Sequence, residues 1–355
     1  MFPEGSVLHA TFAVLGTMVG AGFASGQEMI RFFARFGNQM YFMIILNTII
    51  CSFVLIFMLP RLAYFKQTCW KLRNELHFGK PFSTYLNLIT QCMFWMMNLT
   101  MVSAAGALMN QQWHIPRWFG ALLFILISCW IVSKGLSAIL SASSIISIGF
   151  VIFLGLVIPY LSTSLFSFPT WQTITAMDDV LDPNLLIHPL IYTSLNIGLS
   201  QSVLTPLAIK LNQSNKHYKT ALLVSLILNV LIMLTCQALQ LLGTTQWHHE
   251  MPLLLFVKNH GQFISLVYEL IVLGELLTTF LCGLFSILKS KSAQQKRTNN
   301  EIFIIGSILF GCSFIPLPWI VSYLYPIAGI CCMVWLIAVF VIPLPKLSDT
   351  LDDTS

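Results

Sequence analysis

The sequence predicts an all-α polytopic membrane protein in which ten transmembrane helices form two halves of five. Three observations support this prediction: an apolar composition, ten apolar segments of membrane-spanning length, and two interrupted segments about half a chain apart. Of the 355 residues, 57% are hydrophobic and 9% are charged, whereas soluble domains carry about 25% charged residues. The net charge of +5 is too small and too dispersed to indicate a nucleic-acid partner, so the lipid bilayer is the expected environment.

A transmembrane helix needs about 20 mostly apolar residues, and this length defines the spans. The predicted spans cover residues 6–36, 39–62, 83–110, 116–133, 139–162, 184–210, 218–243, 262–288, 302–317 and 320–343. The first and the sixth contain polar, small-residue interruptions and are expected to be unwound there. The ninth is the shortest, because Pro316 and Pro318 end it.

The distribution of basic residues sets the orientation of these spans. Cytoplasmic loops of membrane proteins are enriched in Lys and Arg. When ten spans alternate across the membrane, most of the 18 basic residues fall on the same side as the N-terminus. Those on the opposite side are Arg31, Arg35, Arg117 and Lys258. We therefore expect a multi-pass protein of the cell membrane with both termini in the cytoplasm.

The ten spans divide into a first repeat at residues 1–163 and a second repeat at residues 164–345, followed by a polar cytoplasmic tail at 346–355. Because each half holds an odd number of spans, the two halves have opposite orientations in the membrane and form an inverted repeat. The interruptions then fall in the first span of each half. Paired interruptions at corresponding positions are typical of the binding site of a secondary transporter.

The first interruption covers Gly20–Glu28. Glycine weakens a helix and lets a ligand approach the main chain, and Ser25 followed by Glu28 fits the S-x-x-E capping box. We expect a half-helix to begin near Ser25, so that its N–H groups and the carbonyls preceding Gly20 face one gap. The candidate substrate-binding residues here are Gly22, Phe23, Ala24, Ser25, Gly26 and Gln27. The alternative is close helix packing through Gly16 and Gly20, which leaves the neighbouring polar residues unexplained.

The second interruption begins at Asn196. Its candidate substrate-binding residues are Asn196, Gly198, Ser200 and Gln201. Pro206 follows closely and lacks an N–H group, a loss that is harmless in the first turn of a second half-helix. The alternative is a kinked helix whose polar groups are bridged by water.

Three polar residues share one face of span eight. Glu275, Thr278 and Thr279 are separated by three and four positions, which brings them together on a helix. Thr278 and Thr279 offer hard oxygen atoms to a small cation; the alternative is that each hydroxyl donates to a carbonyl one turn earlier. A carboxyl group inside a membrane span is costly and indicates function. Glu28 and Glu275 are therefore candidate proton-coupling residues.

Other kinds of chemistry are weakly indicated. The nine cysteines contain no C-x-x-C pair, so neither a zinc site nor a disulfide framework is expected. His248, His249 and Glu250 form a short polar run in an outer loop, where solvation explains it. No nucleophile and base stand at a suitable spacing. We expect no enzymatic activity, no cofactor and no metal, apart from Na⁺ or H⁺ as a coupling ion.

The segment V-G-A-G-F-A-S-G-Q-E at Val19–Glu28 resembles the YkvI family of uncharacterised bacterial membrane proteins. The resemblance implies the amino acid–polyamine–organocation (APC) superfamily, its LeuT-type five-plus-five fold and a bacterial plasma membrane. It also implies a substrate between the unwound parts of spans one and six. In sodium-coupled members, an ion lies between span-one carbonyls and a hydroxyl pair on span eight. The ion-binding positions so implied are Gly20, Ala21, Ala24, Thr278 and Thr279. The acidic residues Glu28 and Glu275 depart from that pattern, which leaves both Na⁺ and H⁺ open.

The sequence therefore predicts a symporter-like secondary active transporter of a small zwitterionic solute, an amino acid, coupled to Na⁺ or H⁺. The alternative is a nutrient-sensing membrane receptor subunit of the same fold, similar to spore germinant receptor subunits, that binds its ligand without turnover transport. Gradient-driven uptake separates the two. The residues leave open the solute's identity, the direction of transport and the oligomeric state.

Overall fold

The structure is a computed structural model that describes residues 5–132, 137–161, 184–211, 213–288 and 299–344. Every regular element within these ranges is helical. The α-helices are α1 (Val7–Met18), α2 (Ala21–Ser25), α3 (Gln27–Phe32), α4 (Gln39–Tyr64), α5 (Trp70–Phe78), α6 (Lys80–Trp113), α7 (Arg117–Val132), α8 (Ser137–Ile152), α9 (Ile158–Leu161), α10 (Asn184–Leu211), α11 (Ser214–Leu242), α12 (Pro252–Lys258), α13 (Gln262–Leu288), α14 (Asn299–Cys312), α15 (Leu317–Trp319) and α16 (Tyr325–Val341). Turns of π-helix join α8 to α9 at Phe153–Val157 and α15 to α16 at Ile320–Leu324.

Five stretches of helix in the described part of the chain are long and apolar enough to cross a membrane. They are Gln39–Tyr64, Lys80–Trp113, Ser214–Leu242, Gln262–Leu284 and Leu317–Val341. Shorter apolar stretches lie at Val7–Met18, Arg117–Ile131 and Ile145–Leu161. All of these overlap segments that the sequence predicts to span the bilayer, and the two other predicted spans contain α10 and α14. The chain is thus a multi-pass helical membrane protein, and the count of ten spans stays a prediction.

The boundaries predicted for the two repeats and the tail, at residues 163–164 and 345–346, lie outside the described residues. The ninth predicted span, 302–317, ends earlier than expected, because α14 stops at Cys312. Leu317 instead begins the short helix that leads into the tenth span. Proline is well tolerated in the first turn of a helix, so Pro318 starts a helix here rather than ending one.

A short helix lies between the second and third spans. It is α5, and Gly79 alone separates it from α6. The backbone of Gly79 has a φ of +74°, a left-handed conformation that glycine adopts most readily. This residue turns the chain from the loop helix directly into the next span and fixes α5 against α6.

The interrupted first span lies inside the helix bundle. Its longest piece, α1, packs against α8, α10 and α11 and also contacts α13. Around it, α10 packs along α4 and α16, while α13 packs along α6 and α8. The helices of predicted spans six and eight therefore both reach span one, which is the arrangement that a site shared by the three requires.

Span six differs from the prediction. The helix α10 is continuous through residues 196–202, so the expected unwinding at this place is wrong. The hydroxyls of Ser194 and Ser200 and the amide of Asn196 each donate to the carbonyl four residues earlier, at 2.7, 2.7 and 3.0 Å. These bonds satisfy the polar side chains within the helix, so the cluster requires no break.

The glycine in the same segment has a packing role. A Cβ atom added to Gly198 would lie 2.2 Å from the Sγ atom of Cys332 and 2.8 Å from its Cβ atom. Only glycine lets α10 and α16 approach this closely. Gly198 is therefore a helix-contact residue and not part of an unwound segment.

Candidate substrate and ion site

The first predicted span is divided into three helices. After α1 ends at Met18, Gly20 has an extended backbone with φ −100° and ψ −166°. Span one is broken again after α2, where Gly26 adopts a left-handed conformation with φ +89°. Residues Ala21–Ser25 between these points are fully buried. The two interruptions thus coincide with two of the glycines that weaken this segment.

The break at Gly26 in span one is capped differently from the prediction. The capping box requires Ser25 to be the N-cap, but Ser25 is the last residue of α2 and Gly26 is the N-cap of α3. The Ser25 hydroxyl still serves both sides, because it donates to the Gly22 carbonyl at 3.0 Å and accepts from the Gln27 N–H at 3.2 Å. Glycine displaces serine from the N-cap because the turn needs a positive φ.

Glu28 is buried beside the interrupted segment, with 3% of its surface exposed. The side chains of Tyr192 and Asn196, which are one turn apart on α10, approach its carboxyl group. The Tyr192 hydroxyl forms no hydrogen bond of good geometry within the described residues. No described basic residue forms an ion pair with Glu28. A buried carboxylate without a base needs a cation or a proton to neutralise it.

Gly22 lies directly against this carboxyl group. A Cβ atom at Gly22 would be 2.6 Å from the Oε2 atom of Glu28 and 3.1 Å from the ring of Tyr325. The Tyr325 hydroxyl in turn interacts with the Gly22 backbone and with the side chain of Thr100. The absence of a side chain at Gly22 therefore makes room for the carboxyl group of Glu28, and the predicted contact of Gly22 with a substrate stays a prediction.

A small cavity adjoins these residues. Its polar lining comes from Thr17, Gly20, Glu28, Asn196, Thr279 and Tyr325. Its free volume is about 20 Å³, enough for one water molecule or one monatomic cation but not for an amino acid. The cavity therefore has the size and the oxygen atoms of a small-cation site.

The hydroxyl pair of span eight is split between two partners. Thr279 reaches span one and donates to the Gly16 carbonyl at 3.1 Å. Thr278 donates to the Glu275 carbonyl within its own helix at 3.2 Å, as the alternative interpretation predicts. Thr279 thus lies at the cavity, whereas Thr278 does not line it.

The predicted carbonyl ligands of span one are also divided. Gly20 lines the cavity, but its carbonyl accepts from the Ala24 N–H at 2.9 Å. The Ala24 carbonyl accepts a hydrogen bond from the Tyr268 hydroxyl. Ala21 is fully buried and does not line the cavity. Gly16, one turn before the predicted position, supplies the carbonyl that meets span eight.

Glu275 lies apart from the cavity. It is fully buried in α13, and neither carboxyl oxygen forms a hydrogen bond of good geometry in the described part of the chain. The side chain of Ser147 on α8 approaches it. The two candidate proton-coupling residues therefore occupy separate places, Glu28 at the cavity and Glu275 at the contact between α8 and α13.

Several predicted substrate-binding residues face elsewhere. Phe23 packs edge-on against Phe150 at a centroid distance of 6.1 Å. The amide of Gln27 donates to the carbonyls of Trp247 and His249 at 2.9 and 2.5 Å, which ties span one to the loop that follows α11. On α10, the Ser200 hydroxyl bonds within its helix, and Gln201 accepts a hydrogen bond from Arg73. Of the second group, Asn196 alone lines the cavity.

Sequence reasoning missed two residues at this site, Tyr192 and Tyr325, and it missed the burial of Arg73 against Gln201. Tyr192 could have been found, because it precedes Asn196 by four positions and shares its helical face. Tyr325 and Arg73 carry no local signal, since Tyr325 reaches the cavity from the tenth span and Arg73 reaches Gln201 from a loop helix.

Comparison with known proteins finds similar sequences and a solved structure of similar fold. No family model matches the chain. The chain is similar to the uncharacterized membrane protein YkvI of Bacillus subtilis, with 24% identity over 331 residues that cover 92% of this chain and 93% of that protein. It is also similar to the uncharacterized protein YyaD of the same organism, with 24% identity over 338 residues, or 93% and 95% of the two chains.

Among solved structures, the chain resembles a Na⁺-coupled sialic acid symporter in its substrate-bound, outward-open state. The TM-score is 0.60 with 11% identity, and the match covers 95% of this chain and 79% of the symporter. At this identity the likeness shows the fold alone. The chain is therefore a multi-pass membrane protein that has the LeuT-like fold of a Na⁺-coupled symporter.

Proposed function

We propose that this protein is a secondary active transporter of a small zwitterionic solute, an amino acid, coupled to Na⁺ or H⁺. The observation that carries the proposal is the buried carboxyl group of Glu28, which lies against Gly22 in the interrupted first span and lines a cavity with Thr279. In a membrane interior, an interrupted helix persists where its backbone lines a cavity or a binding site. The shared fold of a Na⁺-coupled symporter supports this assignment.

The chemistry of the cavity favours a solute with a positively charged group. Glu28 offers a carboxylate, and Tyr192, Asn196 and Tyr325 offer polar atoms around it. The ammonium group of an amino acid or a metal cation could neutralise the carboxylate. Because the cavity is too small for an amino acid in this state, binding requires α1 to α3 to move relative to α10.

The two candidate coupling ions would use overlapping sets of residues, which share Glu28. For Na⁺, the oxygen atoms are those of Glu28, of the Thr279 hydroxyl and of the Gly16 carbonyl, which is 3.1 Å from that hydroxyl. For H⁺, the acceptors are the buried carboxyl groups of Glu28 and Glu275. The proposal includes the bacterial plasma membrane as the location and both termini in the cytoplasm.

The test is uptake into liposomes that contain the purified protein. A panel of labelled amino acids would be screened under a Na⁺ gradient alone and under a pH gradient alone, with empty liposomes as the control. We expect at least one solute to accumulate under one of the two gradients. Absence of gradient-dependent uptake across the panel would refute transport, and binding without uptake would support the nutrient-sensing alternative.

A further inference from the structure

The loop helix α5 carries a buried arginine that contacts span six. Arg73 has 3% of its surface exposed. Its Nη2 atom donates to the Gln201 side-chain oxygen at 2.9 Å and to the Asn74 side chain at 3.2 Å, and its Nη1 atom donates to the Thr205 hydroxyl. The guanidinium carbon lies 5.7 Å from the ring centroid of Trp335. Arg73 thus joins α5 to both α10 and α16.

This buried cation has no acidic partner in the described part of the chain. Burial lowers the pKa of Arg73 to about 10, so the guanidinium is charged at neutral pH. A buried charge that meets only neutral acceptors is costly compared with one that meets a carboxylate. An anionic partner would offset this cost.

The surroundings of Arg73 contain two more hydrogen-bond donors without acceptors. The indole Nε1 atom of Trp335 is buried and unpartnered among the described residues. The same holds for the Nδ2 atom of Asn87, whose side-chain oxygen accepts from Asn74 at 2.9 Å. A cation and two N–H groups without acceptors therefore occur near one another; the acidic residue of α5, Glu75, lines a neighbouring cavity with Asn87 but forms no ion pair with Arg73. A carboxylate supplies the acceptors that this region lacks.

Arg73 lies between the cavity and the cytoplasmic end of the bundle. On α10, Gln201 follows the cavity residue Asn196 by five positions, about 7.5 Å along the helix. On α16, Trp335 follows the cavity residue Tyr325 by ten positions, about 15 Å. Arg73 is therefore on the predicted cytoplasmic side of the cavity, where a departing solute would meet it.

We propose that Arg73 is a carboxylate-binding residue at an inner gate. While Gln201 and Thr205 hold the guanidinium, α5 stays against α10 and the path is closed. A solute carboxylate competes for the guanidinium, because a bidentate arginine–carboxylate pair is stronger than bonds to neutral oxygens, and its binding releases α5. The proposal rests on the proposed transport function and deepens it, since it makes a carboxylate the feature of the solute that opens the inner side.

A native cysteine reports on this gate. Cys332 is a buried free thiol on α16, between the cavity residue Tyr325 and Trp335. Its alkylation by N-ethylmaleimide would be followed in the full-length purified protein by peptide mass spectrometry, which resolves each cysteine. Cys236 is a buried thiol near the C-terminal end of α11. It is the internal control for general loosening of the fold.

The first arm compares wild type with Arg73→Met and Arg73→Lys. Loss of the bonds to Gln201 and Thr205 should raise the alkylation rate of Cys332 by about tenfold, equivalent to about 1.4 kcal/mol, with Cys236 unchanged. Lysine keeps the charge but not the planar fork, so its effect should be intermediate. An unchanged Cys332 rate in both variants, or an equal rise at Cys236, would show that Arg73 does not act as a gate.

The second arm uses sodium acetate as the carboxylate probe and acetamide as its neutral counterpart. In wild type, acetate should raise the Cys332 rate above that in sodium chloride of equal ionic strength, and acetamide should not. Arg73→Met should abolish the acetate response. Equal rates in acetate and acetamide would overturn the carboxylate assignment. Neither arm requires transport, so failed uptake with a retained acetate response would refute the transporter while leaving the carboxylate site standing.

Discussion

Replacing Gly22 by alanine tests the candidate site with the smallest possible change. The added Cβ atom would lie 2.6 Å from the Glu28 Oε2 atom and 3.1 Å from the ring of Tyr325. Because a ring and a buried carboxyl group cannot both move away freely, the carboxyl group has to leave its position. Overpacking of this kind costs about 1–3 kcal/mol. If the cost falls on the ligand-bound state, the affinity for the solute or the coupling ion decreases about 5- to 150-fold.

The assay is the concentration of solute, and then of coupling ion, that gives half-maximal uptake in liposomes. Two matched glycine variants serve as controls. A Cβ atom at Gly149 would have no neighbour within 4 Å, and one at Gly20 would meet the flexible end of Met101 at 2.9 Å. Gly149→Ala should leave both concentrations unchanged, and Gly20→Ala should have a smaller effect than Gly22→Ala. Half-maximal concentrations in Gly22→Ala that equal those of wild type would refute the assignment of Gly22 and Glu28 to the site.

The other predictions concern packing, coupling and pH. Gly198→Ala places a Cβ atom 2.2 Å from the Cys332 Sγ atom, so the melting temperature should fall by several degrees, for about 1–3 kcal/mol, and adding Cys332→Ala should restore part of it. Thr279→Val removes a cavity hydroxyl at nearly constant shape and should weaken the Na⁺ dependence of uptake about fivefold, for roughly 1 kcal/mol. Glu275→Gln should leave the Na⁺ dependence of uptake unchanged. If Glu275→Gln instead removes a pH dependence of uptake and Thr279→Val changes nothing, the coupling ion is H⁺. Burial, together with two neighbouring arginines, lowers the pKa of His77 below its ordinary value of 6.5. The contribution of neutral His77 to the free energy of unfolding is therefore present above about pH 6.5 and is lost as the pH falls below that value. His77→Gln should flatten this part of a plot of melting temperature against pH, and an unaltered plot would contradict the reasoning.

The features that sequence predicted well depend on local properties. Apolar segments of sufficient length gave the long helices, because the length of a span follows from the thickness of the bilayer. The interruptions of span one coincide with Gly20 and Gly26, where glycine relieves the cost of an extended or left-handed backbone. Glu28 could be selected as a candidate because a carboxyl group inside a predicted span is costly wherever it points, and the structure shows it buried.

The features that sequence missed depend on distant contacts. The polar cluster around Asn196 looks like a second interruption, but its hydroxyls and amide bond within the helix, and composition does not distinguish the two outcomes. The role of Gly198 depends on Cys332, more than a hundred residues away. Arg73 was counted as one of many basic loop residues that set the topology, and only the packing of α5 shows it to be buried.

The continuity of α10 changes how the two ends of the proposed pathway can influence each other. If span six were two half-helices, the inner half could move while the outer half stayed on the cavity. In the structure, one uninterrupted helix carries Asn196 at the cavity and Gln201 at Arg73. A shift of α10 that follows neutralisation of Glu28 therefore also displaces the acceptors of the guanidinium. Because span one is interrupted at Gly20 and Gly26, its short helices are the elements that can adjust to a ligand, while Asn196 and Gln201 keep a fixed spacing on one helical segment.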